Sequence, residues 1–135
     1  IGSNNKDGGY MNIRKNTGKN AIFVGADENG NNIIISSNAK GNPAFIAGAN
    51  DEDNGYVKTV NSNGENATLI GSKKDGSGYL STHNNSGKRT SYITSDRSGN
   101  GIIGLYDKNQ KLQWSKKGVK PVVETSTDTN DNKNK

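Results

Sequence analysis

The sequence predicts an all-β, elongated repeat protein from three observations: an internal repeat, columns of apolar residues and regularly spaced turn signals. Five copies of 22–24 residues follow one another, at 1–23, 24–45, 46–69, 70–92 and 93–114. A short unit that repeats in this way stacks on its neighbours, so the molecule extends along one axis. We expect two short strands in each copy.

Apolar residues keep fixed places in these copies. Leu, Ile, Val and Phe together number only 23 of 135 residues, a fraction that alone is typical of disorder. A disordered chain has no reason to keep such columns, so the periodicity favours a folded protein. One column opens the copies (Ile1, Val24, Ile46, Ile70, Ile93), one closes them (Phe23, Phe45, Leu69, Tyr92, Trp114), and a third lies between (Met11, Ile34, Val57, Leu80, Ile103), preceded by Tyr10, Ile33, Tyr56, Tyr79 and Ile102.

Turn signals fall every 11 or 12 residues. Gly and Asn adopt positive φ more easily than other residues, so a column that contains only these two types predicts a turn. That column is Gly18, Gly41, Gly64, Gly87 and Asn109. A second turn in each copy is predicted at Asp7-Gly8, Asn29-Gly30, Asn54-Gly55, Asp75-Gly76 and Ser98-Gly99.

Short strands are predicted between these turns, of the types seen at 56–60 and 67–71. No segment has a sustained helical period. A single thin sheet buries little surface, so we expect other copies of the chain to cover one face. Three chains winding around one axis would share a core made of the apolar columns and would leave no long exposed strand edges. The predicted assembly is an intertwined homotrimer.

The turn sequences resemble those of a known class of protein. Gly99-Asn100-Gly101-Ile102, Asn16-Thr17-Gly18-Lys19 and Asn85-Ser86-Gly87-Lys88 are similar to the Gly/Asn-rich β-repeats of phage tail fibres, tail needles and large bacterial surface proteins. The resemblance covers about residues 1–114 and implies a β-helix-like or β-prism-like trimer. It also implies a location outside the cell or on a virion surface.

The domain prediction is a five-repeat domain at 1–114 and a polar tail at 115–135. The tail is rich in Thr, Asn, Asp and Lys, which is typical of a solvated terminus. The alternative is that Val119, Val122 and Val123 form an edge strand that caps the last repeat.

No catalytic, cofactor-binding or metal-binding residue is predicted. His83 is the only histidine, so a two-histidine mechanism cannot be built within one chain. The aspartates Asp27, Asp51, Asp53, Asp75 and Asp96 lie near predicted turns, where Asp bonds to its own backbone. Calcium binding is the alternative reading of these aspartates. Carboxylate pairs formed between chains, as in a polysaccharide-cleaving enzyme, are a more distant one.

Charge and aromatic residues offer two further interpretations. The net charge is +5, and spread lysines favour solubility and oppose edge-to-edge association. Attraction to acidic cell-surface polysaccharide is the functional alternative. Tyr10, Tyr56 and Tyr79 recur in one column, which predicts cross-strand packing, with glycan contact as the alternative. Neither nucleic-acid binding nor membrane insertion is expected.

Together these observations predict a non-enzymatic structural module, a shaft or spacer in a phage tail fibre or bacterial appendage. Its partner would be itself, as a homotrimer or a longer filament. One alternative is a receptor- or glycan-binding adhesin that uses the repeat face. The other is a single-chain β-solenoid scaffold.

Overall fold

The structure, a computed structural model, describes residues 1–3 and 8–118 and contains one antiparallel sheet of eleven strands. The all-β prediction is confirmed, and no helix occurs in the described ranges. The strands are β1 (Gly2–Ser3), β2 (Gly9–Arg14), β3 (Asn20–Ala26), β4 (Asn32–Ser37), β5 (Pro43–Ala49), β6 (Gly55–Val60), β7 (Asn66–Ser72), β8 (Gly78–His83), β9 (Arg89–Ser95), β10 (Gly101–Tyr106) and β11 (Leu112–Lys117).

Every strand pairs only with its neighbours in sequence, in the order β1 to β11. The prediction that the chain itself winds as a β-helix or solenoid is therefore wrong. The physical reason lies in the connections, since parallel strands need a crossover of a dozen or more residues. From β2 onward each strand is joined to the next by a tight turn, which allows only a hairpin.

Nine turns share one hydrogen-bond pattern. In the first, the Gly18 amide donates to the Lys15 carbonyl at 2.9 Å, and the Lys15 amide donates to the Lys19 carbonyl at 2.8 Å. This is a three-residue hairpin loop, a type I turn followed by a residue at positive φ. In most of these turns a side chain completes the loop, as where Asn61 Oδ1 accepts from the amides of Asn63 and Glu65.

Glycine occupies the positive-φ position in seven of these turns, namely Gly18, Gly30, Gly41, Gly64, Gly76, Gly87 and Gly99. The other two turns correct the sequence prediction. Gln110, with φ of 67°, takes the place assigned to Asn109, and Asp53, with φ of 58°, takes the place assigned to Gly55. Gly55 instead begins β6.

The turns recur every 23 residues. Along one side of the sheet they begin at residues 15, 38, 61, 84 and 107, and along the other side at 27, 50, 73 and 96. The odd number arises from an irregularity in each hairpin of the first set, as between Ile13 and Arg14, where one extra residue enters the following strand. Copies of 22 and 24 residues are therefore wrong by one residue.

That residue changes the face on which a side chain lies. Ile46 was placed in the opening column, but Ala47 pairs with Ile34 and Val57 in that row. Likewise Phe45 and Trp114 do not share a face with the other members of the closing column. A shift of one residue along a strand moves a side chain to the opposite face.

The C-terminal boundary also moves. β11 runs past Trp114 to Lys117, and Ile102 pairs with Lys117. Residues 115–117, assigned to the polar tail, therefore belong to the sheet. The edge strand proposed at Val119, Val122 and Val123, and the turn at Asp7, lie outside the described residues.

Candidate interaction surfaces

The sheet has two faces of different chemistry, which the strand register identifies because directly paired residues lie on the same face. Face A carries a continuous apolar row through nine strands: Met11, Val24, Ile34, Ala47, Val57, Ile70, Leu80, Ile93 and Ile103. Face B carries the residues between them. No charged residue lies on face A from β2 to β10.

Face A is uncovered. No hydrophobic side chain in the described ranges is buried, and Ile34, Ile70 and Ile93 are 45–48% exposed. All the exposed large apolar side chains of β2–β10 lie on this face: Met11, Ile13, Ile22, Ile34, Phe45, Ile70, Ile93, Ile103 and Leu105. At its first strands the sheet forms an apolar depression of about 620 Å³ that includes Met11, Val24 and Ile34. An apolar surface of this extent marks an interaction site.

The polar groups of face A are satisfied within the sheet. A second row of this face runs through Phe45, Thr59, Thr68, Thr82 and Ser91. The Thr59 and Thr68 hydroxyls are 2.8 Å apart, and those of Thr82 and Ser91 are 2.7 Å apart. Hydroxyls with partners lose little when water is removed. Face A can therefore be covered without leaving these groups unpaired.

Face B covers itself. The column of Tyr10, Ile33, Tyr56, Tyr79 and Ile102 lies here, and four of the intervening strands present Gly25, Gly48, Gly71 and Thr94. A Cβ added to Gly25 would lie 2.7 Å from Tyr10 Cβ. The glycines thus leave room for large side chains to lie across the sheet.

The three tyrosines proposed for glycan contact are half-buried on face B. Tyr10 stacks on Phe23 with ring centroids 6.1 Å apart, and Lys58 Nζ lies 5.8 Å from the Tyr56 ring centroid. Tyr79 lies 6.2 Å from Tyr92. Burial raises the pKa of the Tyr79 hydroxyl. Cross-strand packing accounts for these positions.

One depression on face B combines cationic and aromatic side chains. It has a volume of about 400 Å³ and includes Tyr79, His83, Arg89, Tyr92 and Lys73. The Arg89 guanidinium carbon lies 4.7 Å from the Tyr92 ring centroid, and burial followed by the charge of Arg89 lowers the pKa of His83. His83 Nδ1 and Arg89 Nε are buried without a hydrogen-bond partner. This arrangement suits an anionic, ring-containing ligand.

The turns form two rims of opposite charge along the sides of the sheet. The cationic rim consists of the turns at 15–19, 38–42, 61–65, 84–88 and 107–111, and the anionic rim of those at 27–31, 50–54, 73–77 and 96–100. The cationic rim has six lysines (Lys15, Lys19, Lys40, Lys88, Lys108, Lys111) against Glu65 and Asp107, a formal charge of +4. The anionic rim has seven acids (Asp27, Glu28, Asp51, Glu52, Asp53, Asp75, Asp96) against Lys73, Lys74 and Arg97, a formal charge of −4.

Turns one repeat apart are also bonded to each other. On the anionic rim, Asn29 and Asn31 both donate to Asp51 Oδ1, at 3.1 and 2.6 Å. On the cationic rim the Gln110 side chain bonds to both the amide and the carbonyl of Arg89, at 3.1 and 3.0 Å. The rims are thus continuous ridges.

The aspartates bind backbone rather than each other. Asp27 Oδ1 accepts from the amides of Asn29 and Asn31, and although burial opposes it, these bonds lower the pKa of Asp27. Lys117, at 2.5 Å from Asp96 Oδ2, together with the Asn100 amide holds the pKa of Asp96 well below its usual range. Within residues 1–3 and 8–118 no group of three or more His, Cys, Asp or Glu residues could hold a metal ion.

Sequence reasoning missed the separation of charge, because it treated the lysines as evenly spread. The signal was present, since alternate turns of an antiparallel sheet lie on opposite sides, so summing charge over every second turn reveals the two rims.

The chain matches no protein-family model, and no curated protein resembles it closely enough in sequence to count as a relative. Among the described residues, no helix is long and apolar enough to cross a membrane.

Proposed function

We propose that the chain is a non-enzymatic structural module, a shaft or spacer in a fibre outside the cell or on a virion surface, and that it functions as a homotrimer. The observation that supports this proposal is face A, a charge-free apolar surface that no described residue covers. A module with such a face needs a partner, and other copies of the same chain supply an identical face.

The dimensions of the sheet favour three copies. Strands of six residues are about 20 Å long, and nine strand spacings of about 4.8 Å give face A an area of roughly 900 Å². Specific interfaces bury about 800 Å² per partner, so this area is sufficient. Three such walls place the axis of a prism about 6 Å from each wall, a distance that side chains fill, since packed sheets lie about 10 Å apart. Four walls would leave an open channel.

Light scattering combined with small-angle X-ray scattering tests the proposal on the whole chain. We expect a rod of three chain masses for the wild type. Ile70→Lys places a charge in the centre of face A and should give single chains. The matched control is Ala39→Lys, which adds the same charge to an exposed turn and should remain trimeric. A monomeric wild type, or an Ile70→Lys variant of unchanged mass, would contradict the proposal.

A second function, binding of an acidic polysaccharide, is favoured by the depression around His83 and Arg89. Arg89 there presents a stacked guanidinium beside Tyr92, which suits a carboxylate on a sugar ring. Retention on immobilised polygalacturonate should fall in Arg89→Gln. Lys108→Gln, which removes one positive charge from a rim, should be retained like the wild type. Equal retention of both variants would show general charge attraction instead.

A further inference from the structure

The two rims have matching charge patterns along the axis of the sheet. Successive turns of the cationic rim have formal charges of +2, +1, −1, +1 and +1, and those of the anionic rim have −2, −3, +1 and 0. The sign of each rim thus reverses once. The reversals are Glu65, in the turn between β6 and β7, and Lys73 with Lys74, in the turn between β7 and β8.

These reversals lie at nearly the same height. One strand separates the two turns, which is about 4.8 Å along the sheet. If two chains stand side by side, parallel and in register, the cationic rim of one faces the anionic rim of the next. Lys15, Lys19 and Lys40 then face the acids of 27–31 and 50–54, and Glu65 faces Lys73 and Lys74. An antiparallel or shifted arrangement loses this correspondence.

We propose that the cationic rim binds the anionic rim of a second copy of this chain, in a parallel, in-register and cyclic arrangement. The inference rests on the proposed assembly through face A and adds its direction and register. A contact between two different surfaces closes into a ring when the rotation permits. Every rim then has a partner of opposite sign, whereas an edge-to-edge two-fold contact would place like charges together.

Attraction between the rims of a single chain does not explain the pattern. The rims are separated by the length of a strand, about 20 Å, which is twice the screening length at 0.1 M salt. Opposite charges therefore stabilise one sheet little across that distance. The coupling of a substitution on one rim to a substitution on the other consequently reports a contact between chains.

A double-mutant cycle at Lys40 and Glu52 tests the proposal. Glu52→Lys alone should raise the concentration for half-assembly about tenfold at about 0.05 M salt, because a trimer contains three such contacts. In a Lys40→Glu background the same substitution should lower that concentration. At about 1 M salt, where screening extends about 3 Å, the difference should vanish. A monomeric wild type would overturn the proposed function itself, whereas an assembled wild type with no change of sign in the cycle would overturn only the rim contact.

Cross-linking tests the register. The chain has no cysteine, so the pair Glu65→Cys and Lys74→Cys introduces the only thiols. Oxidation should give covalent trimers on a non-reducing gel, because disulfides form when Cα atoms come within about 7 Å. The control pair Lys19→Cys and Lys74→Cys lies five strands apart in height, about 24 Å, and should remain uncross-linked. Cross-linking of the control but not of the test pair would overturn the in-register arrangement.

Discussion

Single residues decide the quality of each turn. Gly is the residue that adopts positive φ at lowest cost, yet Asp53 and Gln110 hold φ of 58° and 67°. Gln110 gains two side-chain hydrogen bonds to Arg89 from that position. The Asp53 turn already has its backbone bonded to the Asn50 side chain, so its own side chain is less needed.

Asp53→Gly should therefore stabilise the protein by up to about 1 kcal/mol, because it removes the cost of a left-handed residue that carries a side chain. Thermal unfolding by circular dichroism measures this. Gln110→Gly serves as the comparison, and it should gain less because it also loses both bonds to Arg89. A lower melting temperature for Asp53→Gly would show that its side chain has a role that the turn geometry does not reveal.

His83 should make stability depend on pH. Burial and Arg89 lower its pKa in the folded chain below the usual 6.5, so between the two pKa values the unfolded chain binds the extra proton. Stability is then present above pH 6.5 and decreases as the pH falls through it. Denaturant unfolding at pH 7.5 and 5.5 should show a smaller loss for His83→Gln than for the wild type. Equal losses would assign the pH dependence to the carboxylates.

The same scale shows where sequence reasoning ended. The positive-φ glycines and the row of Met11, Ile34, Val57, Leu80 and Ile103 followed from residue type and spacing. Ile46 was misplaced because Ala47, the residue in register, is smaller and less apolar than its neighbour. Gln110 was missed because nothing in its chemistry predicts a left-handed backbone.

At the scale of elements, strands and turns were predictable, but their pairing was only partly so. Regular turn signals fix the hairpins, since three-residue loops leave no other connection. The extra residue in each second strand has no sequence signature, because Ala21, Ala44, Ala67 and Thr90 fill that position without any special residue type. A prediction of two strands per copy therefore still misassigned faces.

Glycine opposite tyrosine is the element-scale feature with the clearest test. Gly25→Ala would place Cβ 2.7 Å from Tyr10 Cβ, which should displace the ring from Phe23 and cost about 1–3 kcal/mol. Gly55→Ala is the matched control, as nothing lies within 4 Å of its added Cβ. Urea unfolding compares the two. A neutral Gly25→Ala would mean that the strands separate easily to accept the methyl group.

At the scale of the whole molecule, the 23-residue period makes the chain modular. Each unit pairs only with its neighbours, so removal of one unit should join two equivalent strands. The predicted homotrimer did not follow from one chain's contacts, because the face and rims that support it are open in that chain.

Deletion of residues 47–69 should therefore give a folded chain two strands shorter, with face A still continuous. Deletion of residues 47–68 removes one residue fewer and should reverse the faces beyond the junction, because strand side chains alternate. Circular dichroism and melting temperature distinguish the two. If both deletions folded equally well, the register would be less strictly fixed than the turns imply.

The meander also determines how the module would respond to tension. Because each strand is hydrogen-bonded only to its sequence neighbours, a force that pulls the two ends of one chain apart along the sheet axis loads one hairpin at a time. Hydrogen bonds loaded in this way open in series, as in a zipper, and resist weakly compared with strands sheared in parallel. Mechanical strength in an assembled rod must then come from the contacts that hold one chain against the next.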